Sequence, residues 1–118
     1  MEIKELYEQL NGNYQDVMGR LMKEERVLKY LRMLPKTEDF QLLCDSVAAS
    51  DWPTAFRASH SLKGMAANLG LTVLFNVSSD LCEEIRDKDP DLGVDMNAML
   101  EAVRAEYEKT INVISTLG

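Results

Sequence analysis

The chain has 118 residues, 46% of them apolar, and a formal net charge of -7. That is the size of a single domain (1–118) with a modest core, and the acidic balance argues against nucleic acid as a partner, because phosphate backbones select a basic face. One histidine and two cysteines, Cys44 and Cys82, without Cys-x-x-Cys or Cys/His spacing, leave too few ligands for a metal or haem site.

The N-terminus, Met1-Glu2-Ile3-Lys4-Glu5, has no hydrophobic signal region, and no apolar run approaches membrane length. A cytoplasmic protein without a membrane span is expected. Apolar residues recur at helical spacing almost throughout, and no strand pattern competes with them. A short helix is predicted over about 3–10, broken by Asn11-Gly12-Asn13. A second covers about 14–22. A third covers about 24–34, either separate or continuing the second through a kink, and Pro35 ends it.

Four longer helices follow. Thr37 is placed to cap the first, with Glu38 and Asp39 in its opening turn and Phe40, Leu43, Cys44 and Val47 as its apolar stripe. Both cysteines fall on such stripes and are expected to be small buried hydrophobes. Asp51 caps the next helix, with Pro53 in the first turn, where a missing N–H costs little. This helix runs to Leu69 and stops at Gly70. The following one spans about 71–87, with Leu71, Leu74, Ser78, Leu81 and Ile85 on its inner line. Pro90 and Gly93 mark a turn. The last helix starts near Asp95 and shows Met96, Leu100, Val103, Tyr107, Ile111 and Ile114.

Alternating spacings of three and four give narrow apolar seams, and short connections favour up-and-down neighbours. The predicted fold is all-α: an antiparallel up-and-down four-helix bundle over about 37–117, with additional short N-terminal helices (about 3–34) packed over one end.

The only histidine lies in Ala58-Ser59-His60-Ser61-Leu62-Lys63-Gly64. On a wheel of about 100° per residue, Trp52, Ala55, Ala58, Ser59, Leu62, Met65, Ala66 and Leu69 share one side, and His60 lies about 160° from its centre. With His60 on the outer face fall Phe56, Lys63, Gly64 and Ala67, with Arg57 a little further round. The plain alternative is a solvated surface histidine. Four neighbours favour a function. Lys63, one turn on, can reach a group carried by the imidazole. Gly64 costs a helix interior about 1 kcal/mol relative to alanine, which suggests that something must approach the backbone there. Phe56 and Ala67 form an apolar surround suited to docking; the bland reading of Phe56 is a partly buried seam residue.

Charge adds a further argument. No acidic residue lies between Trp52 and Ser79, whereas an even spread of the 20 acids would put about five there. Part of the window is core, but it also holds Arg57, His60 and Lys63, so a locally positive face is expected on an acidic protein. Such a face would attract an acidic partner site and tolerate an added phosphate. A neutral imidazole is nucleophilic. An exposed ring nitrogen, read as Nε2, could attack an acyl phosphate and carry the phosphoryl group, with Lys63 stabilising the oxygens. No glycine-rich nucleotide loop and no evident pair of metal-binding carboxylates are present. Neither ATP binding nor autokinase activity is expected; no cofactor is needed on this chain, and Mg²⁺ would sit on the partner.

These residues resemble the histidine-containing phosphotransfer (HPt) domain family. The matching core is Ala58-Ser59-His60-Ser61-Leu62-Lys63-Gly64, continued by Ala67-Asn68-Leu69-Gly70, and the resemblance runs over roughly 34–87, weakening toward both ends. It implies a four-helix bundle, a phosphorylated His60, and exchange with receiver domains of response regulators in a two-component phosphorelay, a hybrid sensor histidine kinase being a further candidate partner. The docking face so implied comprises Phe56, Arg57, Gly64, Ala67, Asn68 and Ser79. One departure stands out. Chemotaxis-kinase relatives place a glutamate from the next helix against the second ring nitrogen; alignment on Gly70 puts Cys82 there, with Ser79 one turn before it. That favours a stand-alone relay module. The alternative function is a non-catalytic adaptor that binds receiver or kinase domains without accepting phosphate. Nothing in the pattern demands a dimer, and a monomer is expected.

Overall fold

The computed structural model describes residues 1–87 and 95–117. They form seven α-helices and one 3-10 turn, without a strand among the described residues. The helices are α1 (Ile3–Gln9), α2 (Tyr14–Leu21), α3 (Glu24–Met33), α4 (Asp39–Ala48), α5 (Trp52–Asn68), α6 (Thr72–Asp87) and α7 (Met96–Ile114). The turn expected at Pro90 and Gly93 lies outside the described residues.

Local chemistry sets the boundaries. Asn13, Asp51 and Asp95 each accept a backbone N–H three residues on, so α2, α5 and α7 begin with a satisfied donor. At the end of α5, Gly70 takes the left-handed conformation at φ 65°. The Gly70 N–H donates to the Ala67 carbonyl and the Leu71 N–H to the Ala66 carbonyl, the two bonds of a Schellman turn. Two further boundaries follow the sequence reading and one differs from it. Met22, in the left-handed region at φ 69°, separates α2 from α3, so of the two readings the separate helices are the ones formed. The α-helix α3 ends at Met33, ahead of Pro35, and the chain continues into a 3-10 turn over Leu34–Lys36. The N-cap position of α4 is Glu38 and its side chain caps nothing. Thr37 still serves this end: its Oγ1 accepts the Asp39 N–H at 3.3 Å and donates to the Asp39 carboxylate at 3.0 Å.

Helices α4 to α7 pack as the predicted bundle, α5 against α4 and α6, α7 against α6 and α4. The connections between α4 and α5 and between α5 and α6 are three residues each, which forces reversal of direction. Leu43, Leu62, Leu74, Leu81 and Val103 are fully buried at the centre; each leucine removed from water stabilises the fold by roughly 2 kcal/mol. Two seam assignments shift. Cys82 is fully buried as expected, but Cys44 is only half-buried and its sulfur faces the Arg104 guanidinium at 3.6 Å. Thr110 occupies the α7 seam in place of half-buried Ile111, its hydroxyl donating to the Glu106 carbonyl. Ser78 is buried on the inner line of α6, with no partner for its hydroxyl among the described residues.

The N-terminal helices cover the α5–α6 turn. Leu6, Tyr7, Leu10, Val17, Val27 and Leu31 are buried in the same core. Tyr7 donates to the Leu69 carbonyl, the Asn13 N–H to the Gly70 carbonyl, and Arg20 to the carbonyls of Ala67 and Asn68. The approach is close. A Cβ on Gly12 would lie 2.8 Å from the Gly70 carbonyl oxygen, and one on Gly70 would lie 2.7 Å from that of Asn13.

Candidate functional site

The site is built on the outer face of α5 and the flank of α6. Asp51 and Pro53 start α5, the Schellman turn ends it, and Ala55, Ala58, Leu62 and Ala66 bury its inner face. Because 17 residues at about 100° per step cover the full circumference, fixing that inner face turns His60 outward, and His60 is exposed. Among the described residues no hydrogen bond engages its ring. The Phe56 ring, one turn earlier, lies nearly parallel to it at 12° with centroids 5.9 Å apart. Cys82 is buried in the interior.

The other predicted residues separate into two groups. Gly64, Ala67 and Asn68 are exposed along the line that continues from His60. Beside Gly64 there is open space: an added Cβ would meet no atom within 4 Å. Arg57 is also exposed and donates to the Thr54 hydroxyl at 3.3 Å. Phe56, Lys63 and Ser79 are half-buried. Phe56 is therefore not an exposed apolar ring but a seam residue, with one neighbour in His60 and another in Arg86, whose guanidinium lies 5.1 Å from its centroid.

Lys63 departs most from expectation. It does not stand free beside His60. Its ammonium reaches across to α6, 3.6 Å from Glu83 Oε1 and 5.9 Å from the Phe75 ring centroid. Glu83 Oε1 also takes Arg86 at 3.4 Å. The face is consequently less positive than the acid-free window suggests. That window stops at Ser79, and the compensating carboxylate comes four residues later. Glu83, Arg86 and Phe75 were missed because nothing in one helix's spacing reports the register of its neighbour. Sequence offered one signal: an acid and a base three apart on α6, a pair that shares one helix face.

An Hpt domain family model matches residues 36–106, more than half of the chain. The chain belongs to the Hpt family. The match reaches through α4, α5 and α6 into α7, further than the 34–87 stretch that carries the motif resemblance. No curated protein and no solved structure matches the chain. Hpt domains are phosphocarrier modules without kinase activity that act with receiver domains, so a phosphotransfer-type function in two-component signalling is assigned at the level of the family. Among the described residues no helix is long and apolar enough to cross a membrane.

Proposed function

We propose that this Hpt protein is a phosphorelay intermediate that accepts a phosphoryl group on His60 from a receiver-domain aspartate and returns it to another. The observation that carries the reading is an exposed imidazole with no hydrogen bond among the described residues, beside open helix backbone, inside the segment that matches the family. In the forward step the free ring nitrogen, Nε2, attacks phosphorus in line. The P–N bond forms as the acyl P–O bond breaks, and the aspartate leaves as carboxylate, its charge met by Mg²⁺ held on the receiver. The reverse step returns the group to a second aspartate. Phosphoryl transfer of this kind depends on positioning and charge neutralisation. Phe56 flanks the ring, and Gly64, Ala67 and Asn68 leave room for the partner's loops. Lys63 neutralises the phosphoryl oxygens once it swings from Glu83. The partner supplies the metal, so this chain works without cofactor or ATP, as a cytoplasmic monomer serving response regulators and a hybrid kinase.

The test is transfer from a panel of receiver domains phosphorylated with labelled acetyl phosphate and then desalted. Acid-labile, alkali-stable label is expected on the wild-type chain and absent from His60→Gln. Label that persists in His60→Gln refutes the assignment. Receiver binding that survives His60→Ala, with no transfer from any receiver, favours the adaptor reading instead.

A further inference from the structure

The contacts around His60 close into a loop across two helices. His60 stacks on Phe56, Phe56 carries the Arg86 guanidinium, Arg86 pairs with Glu83, and Glu83 pairs with Lys63 on α5, one turn from His60. A single carboxylate oxygen thus holds two cations beside the histidine face, Lys63 and Arg86, whereas exposed Arg57 donates to the Thr54 hydroxyl. It holds them loosely, at 3.4 and 3.6 Å rather than the 2.7–2.9 Å of a short charge-assisted hydrogen bond. Lys63 is the more enclosed partner, with 22% of its side chain exposed against 47% for Glu83. The carboxylate faces solvent and its removal leaves no buried void.

We propose that Glu83 is a positioning residue that competes with the phosphoryl group for Lys63 and Arg86, and so sets how far the equilibrium lies toward phospho-His60. This rests on the relay reading given above. In the resting chain the carboxylate engages both cations. A phosphoryl group brings roughly two negative charges and three strong acceptor oxygens, against one negative charge on Glu83. The cations exchange partners, and Glu83 is left unpaired near the new dianion. The cost of stranding that carboxylate is borne by phospho-His60 alone. It lowers the affinity of the histidine for the phosphoryl group and favours passage to the next aspartate. No bond is made or broken at Glu83; its effect is electrostatic throughout.

The experiment measures label partition at equilibrium between the full chain and one phosphorylated receiver domain, which is independent of docking rate. Glu83→Gln keeps shape and removes charge. It is expected to raise the ratio of phospho-His60 to phospho-aspartate by about three- to tenfold at low ionic strength, the equivalent of two partly exposed ion pairs that the wild-type chain gives up when the cations change partner. The shift shrinks in molar salt, where charges are screened within about 3 Å. In a chain already carrying Lys63→Met and Arg86→Met, Glu83→Gln is expected to change the ratio by less than about twofold, because most of its effect passes through those cations. A merely structural role would not show this dependence. An unchanged ratio in Glu83→Gln, or a full shift that survives loss of both cations, overturns the proposal while leaving His60 as the carrier. Absence of label from His60 in every chain overturns the relay reading and this proposal with it.

Discussion

Replacing Gly64 by alanine should make the protein more stable and a poorer transfer partner. Gly64 lies in the middle of α5 with nothing within 4 Å of an added Cβ, and its backbone is not in the left-handed region. Alanine there relieves the helix of about 1 kcal/mol of glycine cost without a clash. For a chain of this length the unfolding entropy is about 0.25 kcal/mol/K, so Tm should rise by about 4 °C. The function should move the other way. The new methyl projects about 1.5 Å into space the partner must share, and a misplacement of about 1 Å can cost roughly a hundredfold in rate. Gly64→Ala should slow label transfer from a receiver domain about tenfold and Gly64→Gln about a hundredfold, with both chains fully helical by circular dichroism. Thermal melts and initial transfer rates on the same preparations make the measurement. Higher Tm with unchanged rates in both variants would show that no partner uses the open space; a lowered Tm in Gly64→Ala would show that the space is not open.

Two predictions concern groups away from the site. Burial pushes the Tyr7 phenol well above its ordinary value of 10.0, with nearby Arg20 pulling the other way. The folded chain keeps this proton longer than the unfolded chain does. Its contribution is therefore complete below about pH 10 and is lost as pH climbs beyond that value. Tyr7→Phe should cost about 1 kcal/mol at pH 7 through the lost bond to the Leu69 carbonyl. The gap between the two chains in urea midpoint should narrow above pH 10, and a constant gap up to pH 11 would contradict the argument. Burial likewise pushes the Cys44 thiol up, with the Arg104 guanidinium as the opposing influence. Iodoacetamide at pH 8 should modify Cys44 about tenfold more slowly than a free thiol, and should leave fully buried Cys82 untouched until the chain unfolds. Peptide mass mapping over time would refute this by finding Cys44 modified at the free-thiol rate.

What the sequence revealed, and what it withheld, follows from the range of the forces involved. The outward turn of His60 was readable because it depends only on the pitch of one helix and on Ala55, Ala58, Leu62 and Ala66 seeking the interior. The caps at Asp51 and Asp95 and the stop at Gly70 are likewise local. The pairing of Lys63 with Glu83 is not: it depends on how α5 and α6 slide against each other. Cys44 shows the same limit from the other side. Its stripe on α4 is real, yet α4 and α7 touch over a short stretch, and the thiol comes to rest at the edge of that contact beside Arg104. Pro35 belongs with the local signals: it cannot continue an α-helix interior, α3 stops at Met33, and the 3-10 turn that follows accommodates the proline near its start.

The bonds from Tyr7, Asn13 and Arg20 to the end of α5 have a consequence for what counts as the working unit. All three donors precede residue 36, where the family match begins. They reach the carbonyls of residues 67–70, the last turn of the helix that displays the histidine and the residues just past it. In native-state hydrogen exchange, the amides at that end of α5 should open together with α1 and α2 rather than fray alone. A fragment trimmed to the matched segment would keep every residue of the motif and lose the donors that hold its helix closed.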